Sequence, residues 1–288
     1  MGKVRNPPSD FAVFQAVIEY LTDQLEVDFC ALGEISESDV EKIRGHLKGS
    51  TYEVASGVKS IGRSQFSTCI LFNTLTCTCE LGGNEVVLQE KSKHRLAQRI
   101  FLTNSQSNAL FQIFVSHWPS RLNLAAGDPL RSTLGDRLRQ RIDEILSKDN
   151  NSNIILMGDY NDEPYDSSLS QHLRATRDRD LIKRKPTLLY NPFWRHMCHP
   201  ELVEKPTESR TKPESWGTYF HSGGTLFRWR TFDQMFFSSS LLGSGEWYLN
   251  ETKTFIVDFE HYTKIVMSRT ESFDHLPIVA TLERKENV

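Results

Sequence analysis

The chain is organised around residues 153–164, Asn153-Ile-Ile-Leu-Met-Gly-Asp-Tyr-Asn-Asp-Glu-Pro164. Its apolar run, Ile154 to Met157, has no polar alternation, which is typical of a strand buried on both faces. Gly158 ends the run, and Asp159 and Asn161 follow. Carboxylate and amide oxygens at a strand end are the hard ligands that Mg²⁺ and phosphate chemistry use. Because Gly, Asp and Asn are also the commonest turn residues, the stretch alone fits an ordinary strand-to-turn junction equally well.

A second strand and a connecting helix precede this stretch. Residues 111–115 form an apolar run that ends in the polar cluster His117, Ser120 and Arg121. Asp128 and the proline after it then begin a helix, with apolar residues at helical spacing to about position 147. If the two strands are parallel, their polar ends lie at the same edge of one sheet. Taken singly, the histidine is more often a packed residue and the arginine a solvated charge, but beside a metal site they would clamp a phosphate.

The first fifty residues predict a helix, a strand and a second helix. The first helix begins at Ser9 or Asp10, the strand covers residues 27–32, and the second helix covers about 37–47. Glu34 follows directly after the strand. A carboxylate at that position is either a solvated loop residue or a member of a functional site.

The middle of the chain, residues 52–117, is expected to be an antiparallel meander, with a hairpin turn at Gly82-Gly83-Asn84. Residues 201–215 combine prolines with many charges and are expected to be a mobile insertion. Asp233 stands just before an apolar strand, where it would be costly to bury without a partner. The adjacent pair Asp274-His275 begins a final strand, although such pairs are frequent by chance.

Composition, net charge and cysteine spacing exclude several functional classes. The 288 residues are 38% hydrophobic and 25% charged, which indicates a globular protein with a sizeable core. A net charge of −3 gives no basic footprint for tight non-specific nucleic-acid binding. The five cysteines lack zinc-site spacing, so they favour a reducing, cytoplasmic compartment. The N-terminus is not a signal peptide and no apolar run is long enough to span a membrane, so no membrane partner is expected.

Five short polar motifs occur in a fixed order at the ends of predicted strands, which chance does not explain. They are Leu32-Gly-Glu34, Ser116-His-Trp-Pro-Ser-Arg121, Gly158-Asp-Tyr-Asn-Asp-Glu-Pro164, Phe232-Asp-Gln234 and Phe273-Asp-His-Leu-Pro-Ile278. In these motifs the chain resembles the endonuclease/exonuclease/phosphatase superfamily, and their variants are most similar to its bacterial nuclease-like branch. The resemblance implies an α+β fold, a four-layer α/β sandwich in which two central mixed β-sheets are flanked by helices. It also implies that residues 1–288 form a single domain.

The resemblance further implies a role for each site residue. Mg²⁺, with Mn²⁺ as an alternative, would be bound by Glu34 and Asp274. The catalytic residues would be His117, Asp159, Asn161, Asp233 and His275. In this scheme His275 is the base near the attacking water and Asp233 orients it, while His117 contacts phosphate oxygens. Ser120 and Arg121 would bind the substrate.

The chain departs from the superfamily pattern at its start. Members usually begin with a strand that carries a Trp-Asn pair, and here only Asn6 could substitute, ahead of two prolines. We therefore expect the first strand to be missing from the N-terminus. The expected activity is Mg²⁺-dependent hydrolysis of phosphodiester bonds in DNA or RNA. The alternatives are a phosphatase of small phosphoesters or phosphoinositides and a catalytically inactive binding domain. No obligate protein partner is evident.

Overall fold

The computed structural model describes residues 7–62, 64–89, 92–198, 215–224, 226–268 and 273–285. The α-helices of these segments are α1 (Pro7–Glu19), α2 (Glu37–His46), α3 (Pro129–Leu146), α4 (Arg179–Arg184) and α5 (Glu260–Met267). The shorter helices are π-helical at Tyr20–Gln24 and Ser168–His172 and 3-10 at Pro192–Met197 and Ser239–Leu241. The strands are β1 (Phe29–Leu32), β2 (Tyr52–Ser56), β3 (Lys59–Ile61), β4 (Ser64–Phe66), β5 (Cys69–Asn73), β6 (Cys77–Gln89), β7 (Ser92–Asn104), β8 (Leu110–His117), β9 (Asn153–Asp159), β10 (Ala175–Thr176), β11 (Leu189–Tyr190), β12 (Tyr219–Phe220), β13 (Trp229–Arg230), β14 (Asp233–Phe237), β15 (Trp247–Ile256) and β16 (Ile278–Arg284).

The large central sheet is mixed and has the strand order β10-β11-β14-β9-β8-β7-β6. Strands β8 and β9 are parallel, and their register places His117 opposite Asp159. Helix α3 connects them and begins as predicted, with the Asp128 carboxylate accepting the Leu130 N–H and Pro129 in the first turn. The predicted strand-helix-strand unit is therefore confirmed, and the polar ends of both strands meet at one sheet edge.

Strand β14 lies on the other side of β9 and is antiparallel to it, with Asp233 opposite Asp159. Its first residue, rather than its last, therefore faces the edge where β8 and β9 end. Three segments that are far apart in the sequence, at positions 117, 159 and 233, are thus brought to neighbouring positions by strand pairing alone.

The second β layer consists of two antiparallel pieces, β1-β5-β2 and β15-β16. A core between the two β layers contains side chains such as Ile70, Ile113, Ile155, Phe237 and Leu249. Helices α1, α2 and α5 cover the outer face of the second layer, and α3 with the π-helix Ser168–His172 covers the large sheet. This order of layers confirms the expected four-layer α/β sandwich.

Some local predictions need correction. The hairpin turn expected at Gly82-Gly83-Asn84 is wrong, since β6 continues through it with a register shift between Leu81 and Asn84. Gly82 lies so close to the next strand that a Cβ there would stand 2.9 Å from the carbonyl oxygen of Arg99. The glycine pair therefore lies in a bulge, and Gly82 makes the close backbone contact. The insertion expected at 201–215 lies outside the described residues except for Ser215.

Among the described helices, none has both the length and the apolar composition needed to cross a membrane.

Candidate active site

Gly158 makes the end of β9 compatible with its neighbour β8. Its φ of 133° is unfavourable for any residue with a side chain, and a Cβ there would overlap the carbonyl oxygen of Ser116. The glycine therefore lets β9 pair closely with β8 up to its last residue, Asp159. As a result, the Asp159 carboxylate is held at the sheet edge in register with His117.

Asn161 fixes the orientation of Asp159. Its backbone N–H donates to one carboxylate oxygen of Asp159 at 2.8 Å, and its side-chain amide donates to the other at 2.6 Å. The same amide also donates to the carbonyl oxygen of Trp118 at 3.1 Å. Asn161 has a φ of 51°, a left-handed conformation that Asn tolerates better than most residues. The Asp-x-Asn motif is thus a rigid unit in which the amide positions the carboxylate.

His117 lies between two carboxylates. Its Nε2 atom is 3.7 Å from Oε1 of Glu34 and 3.8 Å from Oδ2 of Asp159. Glu34, which follows β1, also has a left-handed backbone, with a φ of 58°. Backbone strain of this kind concentrates at functional sites, where surrounding structure maintains it.

Asp233 and His275 form a close pair on the opposite side of Asp159. The Nδ1 atom of His275 is 2.6 Å from Oδ2 of Asp233, and its Nε2 is 3.9 Å from Oδ1 of Asp274. The backbone N–H of Asp233 donates to the Thr218 hydroxyl at 2.9 Å. Six predicted residues thus form a continuous series along the edge, in the order Glu34, His117, Asp159, Asp233, His275 and Asp274.

The protonation of this series follows from burial and charge. Burial lowers the pKa of His117, and nearby Arg95 adds to the effect, so that the pKa falls to about 3. Burial raises the pKa of Asp159 to about 7, although the charge of His275 opposes the rise. In the metal-free protein His117 is therefore neutral at neutral pH and Asp159 is partly protonated.

The Asp233–His275 pair behaves differently, because its two members stabilise each other's charge. Burial alone would lower the pKa of His275, but Asp233 and Asp159 together raise it to about 9. Burial alone would raise the pKa of Asp233, but the hydrogen-bonded His275 holds it below its usual value. In the metal-free protein the pair is an ion pair at neutral pH.

Asp159, Asp233 and His275 form a candidate metal site, since one ligand atom from each lies within 4.8 Å of the others. Glu34 and Asp274, predicted as ligands, lie at the two ends of the series. Four carboxylates at one edge, with a single imidazolium among them, leave excess negative charge. This donor set fits a hard divalent cation.

Ser120 and Arg121, the predicted substrate contacts, are engaged within the protein. The Ser120 hydroxyl accepts the N–H of Leu122 at 3.3 Å, as in a local turn. The guanidinium of Arg121 donates to the carbonyl of Asn161 at 2.9 Å, pairs with Asp166 and stacks over Phe232. In this geometry both residues stabilise the loops beside the site, and their role in substrate binding stays a prediction.

A fully buried arginine connects these loops. Arg131 of α3 donates to the carbonyls of Pro119, Leu124 and Tyr160, and its guanidinium lies 3.4 Å from Asp162. Both members of this ion pair are 1% exposed. The loop after β8 and the loop after β9 are therefore joined through one side chain from the helix between the two strands.

Two further residues, Arg95 and Tyr219, lie near the site although the sequence did not predict them there. Arg95 lies near the start of β7, where Glu34 and Asp159 act on its charge, and its Nη1 donates to the carbonyl of Gln65 at 2.8 Å. The ring of Tyr219 lies 4.8 Å from that of His275. No motif surrounds either residue, and only the pairing of distant strands brings them to the edge.

A sequence model of the Endonuclease/Exonuclease/phosphatase family matches residues 17–264. No curated protein sequence matches the chain. A functionally unknown conserved protein from Enterococcus faecalis V583 has a TM-score of 0.60 at 12% identity, with 99% of this chain and 96% of that chain covered. The human Nocturnin catalytic domain with bound sulfate has a TM-score of 0.56 at 15% identity, with 96% and 87% covered. A mannosyl-6-phosphatase from Bacteroides thetaiotaomicron has a TM-score of 0.52 at 14% identity, with 96% and 94% covered. At such identities the structural likeness shows the fold alone.

Proposed function

We propose that this chain, which belongs to the endonuclease/exonuclease/phosphatase family, catalyses Mg²⁺-dependent hydrolysis of phosphodiester bonds in DNA or RNA. The observation that carries the proposal is the 2.6 Å contact between Asp233 and His275, directly beside Asp159. A histidine oriented by a buried carboxylate, next to further acidic groups at a sheet edge, is suited to activate water in a metal-assisted hydrolysis. The choice of nucleic acid as substrate rests on the nuclease-like motifs that follow β8 and β9.

His275 is protonated in the metal-free protein, and its ring would accept the proton of the attacking water once a bound cation offsets the carboxylate charge that raises its pKa. Its Nδ1 is occupied by Asp233, so Nε2 is the atom available for the proton. Asp159, held by Asn161 through both carboxylate oxygens, would orient that water. A proton acceptor positioned in this way typically contributes about 10²–10⁴-fold to the rate.

The phosphate would be bound between His117 and Arg95. Because His117 is neutral, it donates one N–H to a phosphate oxygen without adding charge. Arg95 supplies the cation at this end of the site, since Arg121 is paired with Asp166. Such donors stabilise the negative charge that develops on the phosphate oxygens in the transition state.

Glu34, Asp159 and Asp274 would hold the cation, because Asp233 and His275 of the candidate metal site are engaged with each other. A bound Mg²⁺ neutralises phosphate charge and polarises the phosphoryl group. Isothermal titration of the protein with Mg²⁺ or Mn²⁺ tests this assignment without relying on turnover. Binding should weaken in Glu34→Gln and Asp274→Asn variants, while equal affinity in both variants and wild type would contradict it.

The activity is tested by incubating the protein with plasmid, single-stranded DNA, RNA and inositol phosphates, in Mg²⁺ or in EDTA. We expect cleavage of one of the nucleic acids that requires Mg²⁺ and is lost in His275→Ala. Turnover of the inositol phosphates alone would instead indicate a phosphatase. Turnover that persists in EDTA would contradict the mechanism, and Mg²⁺ binding without turnover would indicate an inactive binding domain.

We also propose a cytoplasmic location. All five cysteines are free thiols, which suits a reducing compartment. Fractionation of the source cells with an antibody to the protein tests this assignment, and recovery outside the cytoplasmic fraction would contradict it.

A further inference from the structure

Four exposed hydrophobic side chains lie in the loops that border the candidate active site. Leu122 follows β8 and is 91% exposed, and Tyr165 follows β9 and is 50% exposed. Leu226 and Phe227, at the tip of the hairpin formed by β12 and β13, are 86% and 64% exposed. Together these four residues form a rim. Single exposed hydrophobic side chains are common, whereas a group of them around one site indicates an interaction surface.

The hairpin of β12 and β13 is attached to the segment that carries His275. Tyr219 forms an antiparallel bridge with His275, and the Phe220 N–H donates to the carbonyl of Asp274 at 2.9 Å. The rings of Tyr219 and His275 are 4.8 Å apart. A substrate bound at His275 therefore lies beside this hairpin.

Arg230 of β13 joins the hairpin tip to the loop after β9. Its guanidinium carbon lies 5.2 Å from the ring centroid of Phe227, and its Nη1 atom lies 3.6 Å from Oε1 of Glu163. Burial and the charge of Glu163 raise the pKa of Tyr165, and the charge of Arg230 opposes the rise. Phe227, Arg230 and Tyr165 are therefore close enough to form one surface.

Planar groups continue from this surface toward the proposed base. Arg121 pairs with Asp166 in the loop after β9, and its guanidinium carbon lies 4.8 Å from the ring centroid of Phe232. Phe232 in turn stacks on Tyr219, with ring centroids 5.3 Å apart and an angle of 14° between the planes. The surface is thus continuous with the site. Aromatic rings and guanidinium planes are the groups on which nucleobases stack in complexes with single strands.

The charges in this surface favour nucleobases over a lipid chain as the ligand. Arg230 forms an ion pair with Glu163 and is 27% exposed, so insertion of the hairpin tip into a bilayer would remove this charge from water. A base stacked over Phe227 leaves the arginine in contact with water, and a cation beside an aromatic ring strengthens such stacking. Bases within a duplex are already stacked on each other and would first have to be extruded, which costs free energy.

We propose that the rim binds unpaired bases next to the scissile phosphate, with one base stacked on Phe227 and another on Tyr165, so that single-stranded DNA or RNA is preferred to duplex. Leu122 and Leu226 supply apolar contacts beside these rings. The position of the scissile phosphate rests on the proposed function, but the binding of bases can be measured without turnover.

The test is fluorescence anisotropy with two labelled probes, a short oligothymidine and an abasic strand of the same length that has the same phosphates and sugars. The parent protein carries His275→Ala, which is expected to abolish cleavage, so that Mg²⁺ can be present. Adding Phe227→Ala or Tyr165→Ala should weaken binding of oligothymidine by at least about fivefold and leave binding of the abasic strand unchanged. Leu88→Ala is the matched control, because Leu88 on β6 is 68% exposed and lies outside the rim, and it should change neither affinity.

Two further substitutions at Phe227 separate stacking from general apolar contact. Phe227→Trp keeps a planar ring and should retain the affinity for oligothymidine, whereas Phe227→Leu keeps an apolar side chain without a plane and should lose it as alanine does. Full affinity in Phe227→Leu would overturn stacking, and equal binding of the two probes by the parent protein would overturn recognition of bases. Co-sedimentation with phosphatidylcholine vesicles that is lost in Phe227→Ala would overturn the choice of nucleic acid and indicate a membrane surface.

Failure of this proposal and failure of the proposed function give different results. If the parent protein binds oligothymidine through the rim but the wild type cleaves no nucleic acid, the proposed hydrolysis is wrong and the assignment of the rim stands. If the wild type cleaves single strands and duplex with equal kcat/KM, and Phe227→Ala leaves the KM for single strands unchanged, the assignment of the rim is wrong and the hydrolysis stands.

Discussion

The Nδ1 atom of His275 lies 2.6 Å from a carboxylate oxygen of Asp233, although the two residues are 42 positions apart in the chain. Asp233 is in turn paired with Asp159 across strands β14 and β9. The histidine is thus linked to the large sheet through a carboxylate whose backbone is fixed by strand pairing and by Thr218. A base held in this way has one orientation, with Nε2 directed away from Asp233.

Replacing Asp233 with Asn should lower kcat by about 10²–10⁴-fold, because the amide no longer stabilises His275 in its charged form or selects its tautomer. The measurement is steady-state cleavage of whichever nucleic acid the wild type hydrolyses. Asp180→Asn is the control, since Asp180 is 81% exposed on α4. If the Asp233→Asn protein folds normally and retains full kcat, the result would contradict a role for Asp233 in catalysis.

The titration of His275 gives a prediction that needs no substrate. In EDTA its NMR resonances should titrate near pH 9, since Asp233 and Asp159 raise its pKa to about 9 from an ordinary 6.5. In Asp233→Asn the midpoint should fall by roughly 1–3 units. Because the pKa is raised by folding, protonated His275 contributes to stability fully below pH 6.5, and the contribution is lost as pH rises through about 9. A midpoint near 6.5 in the wild type would contradict the ion pair.

Arg95 and Arg121 should respond differently to removal of charge. Arg95→Met should lower kcat/KM by at least about tenfold, because it removes a cation whose charge interacts with Glu34 and Asp159. Arg121→Met should mainly lower the free energy of unfolding, because Arg121 pairs with Asp166 and binds the Asn161 carbonyl. Kinetics and urea unfolding of both variants separate the two effects. If Arg121→Met loses more kcat/KM than Arg95→Met and keeps its free energy of unfolding, the result would indicate that Arg121 contacts the phosphate.

Loss of the buried Arg131–Asp162 ion pair should strongly destabilise the folded protein. Arg131→Met leaves the buried Asp162 carboxylate with the guanidinium of Arg121 as its remaining cation, also at 3.4 Å, and should lower the free energy of unfolding by about 3–5 kcal/mol. Adding Asp162→Asn should recover part of this loss, because the buried charge is then removed. Urea unfolding measures both, with the exposed pair Asp180–Lys183 as the matched control. Additive losses in the double variant would show that the two side chains do not interact.

Gly158→Ala should destabilise the protein by at least about 3 kcal/mol, since a Cβ there would overlap the Ser116 carbonyl and the backbone is in a region unfavourable for alanine. Gly45→Ala is the control, because Gly45 lies in α2 with nothing within 4 Å of a Cβ. Helix propensity predicts a gain of roughly 0.5–1 kcal/mol there. Thermal unfolding of both variants measures the difference, and equal stability would contradict the close pairing of β8 and β9.

Patterns within single segments predicted much of the fold. The unbroken apolar run before Gly158 requires a strand buried on both faces, and the Asp128-Pro129 pair requires a helix start. Together they predicted a strand-helix-strand unit, in which parallel strands would bring His117 to the same sheet edge as Asp159, and the structure has this pairing. At Gly82 the same kind of reasoning failed, because a glycine pair permits a turn and also permits the close strand contact that occurs there.

The positions at which polar side chains follow buried strands can be predicted from short segments, because apolar periodicity and turn residues are local properties of the chain. Which of these side chains meet depends on the tertiary structure. The antiparallel pairing of β14 with β9 brings Asp233 to Asp159, and the approach of Asp274-His275 completes the series. The tertiary structure also pairs Arg121 with Asp166, and it places Arg95 rather than Arg121 where its charge interacts with Glu34 and Asp159. Contacts between distant segments depend on sheet order and packing, which no short stretch of sequence encodes.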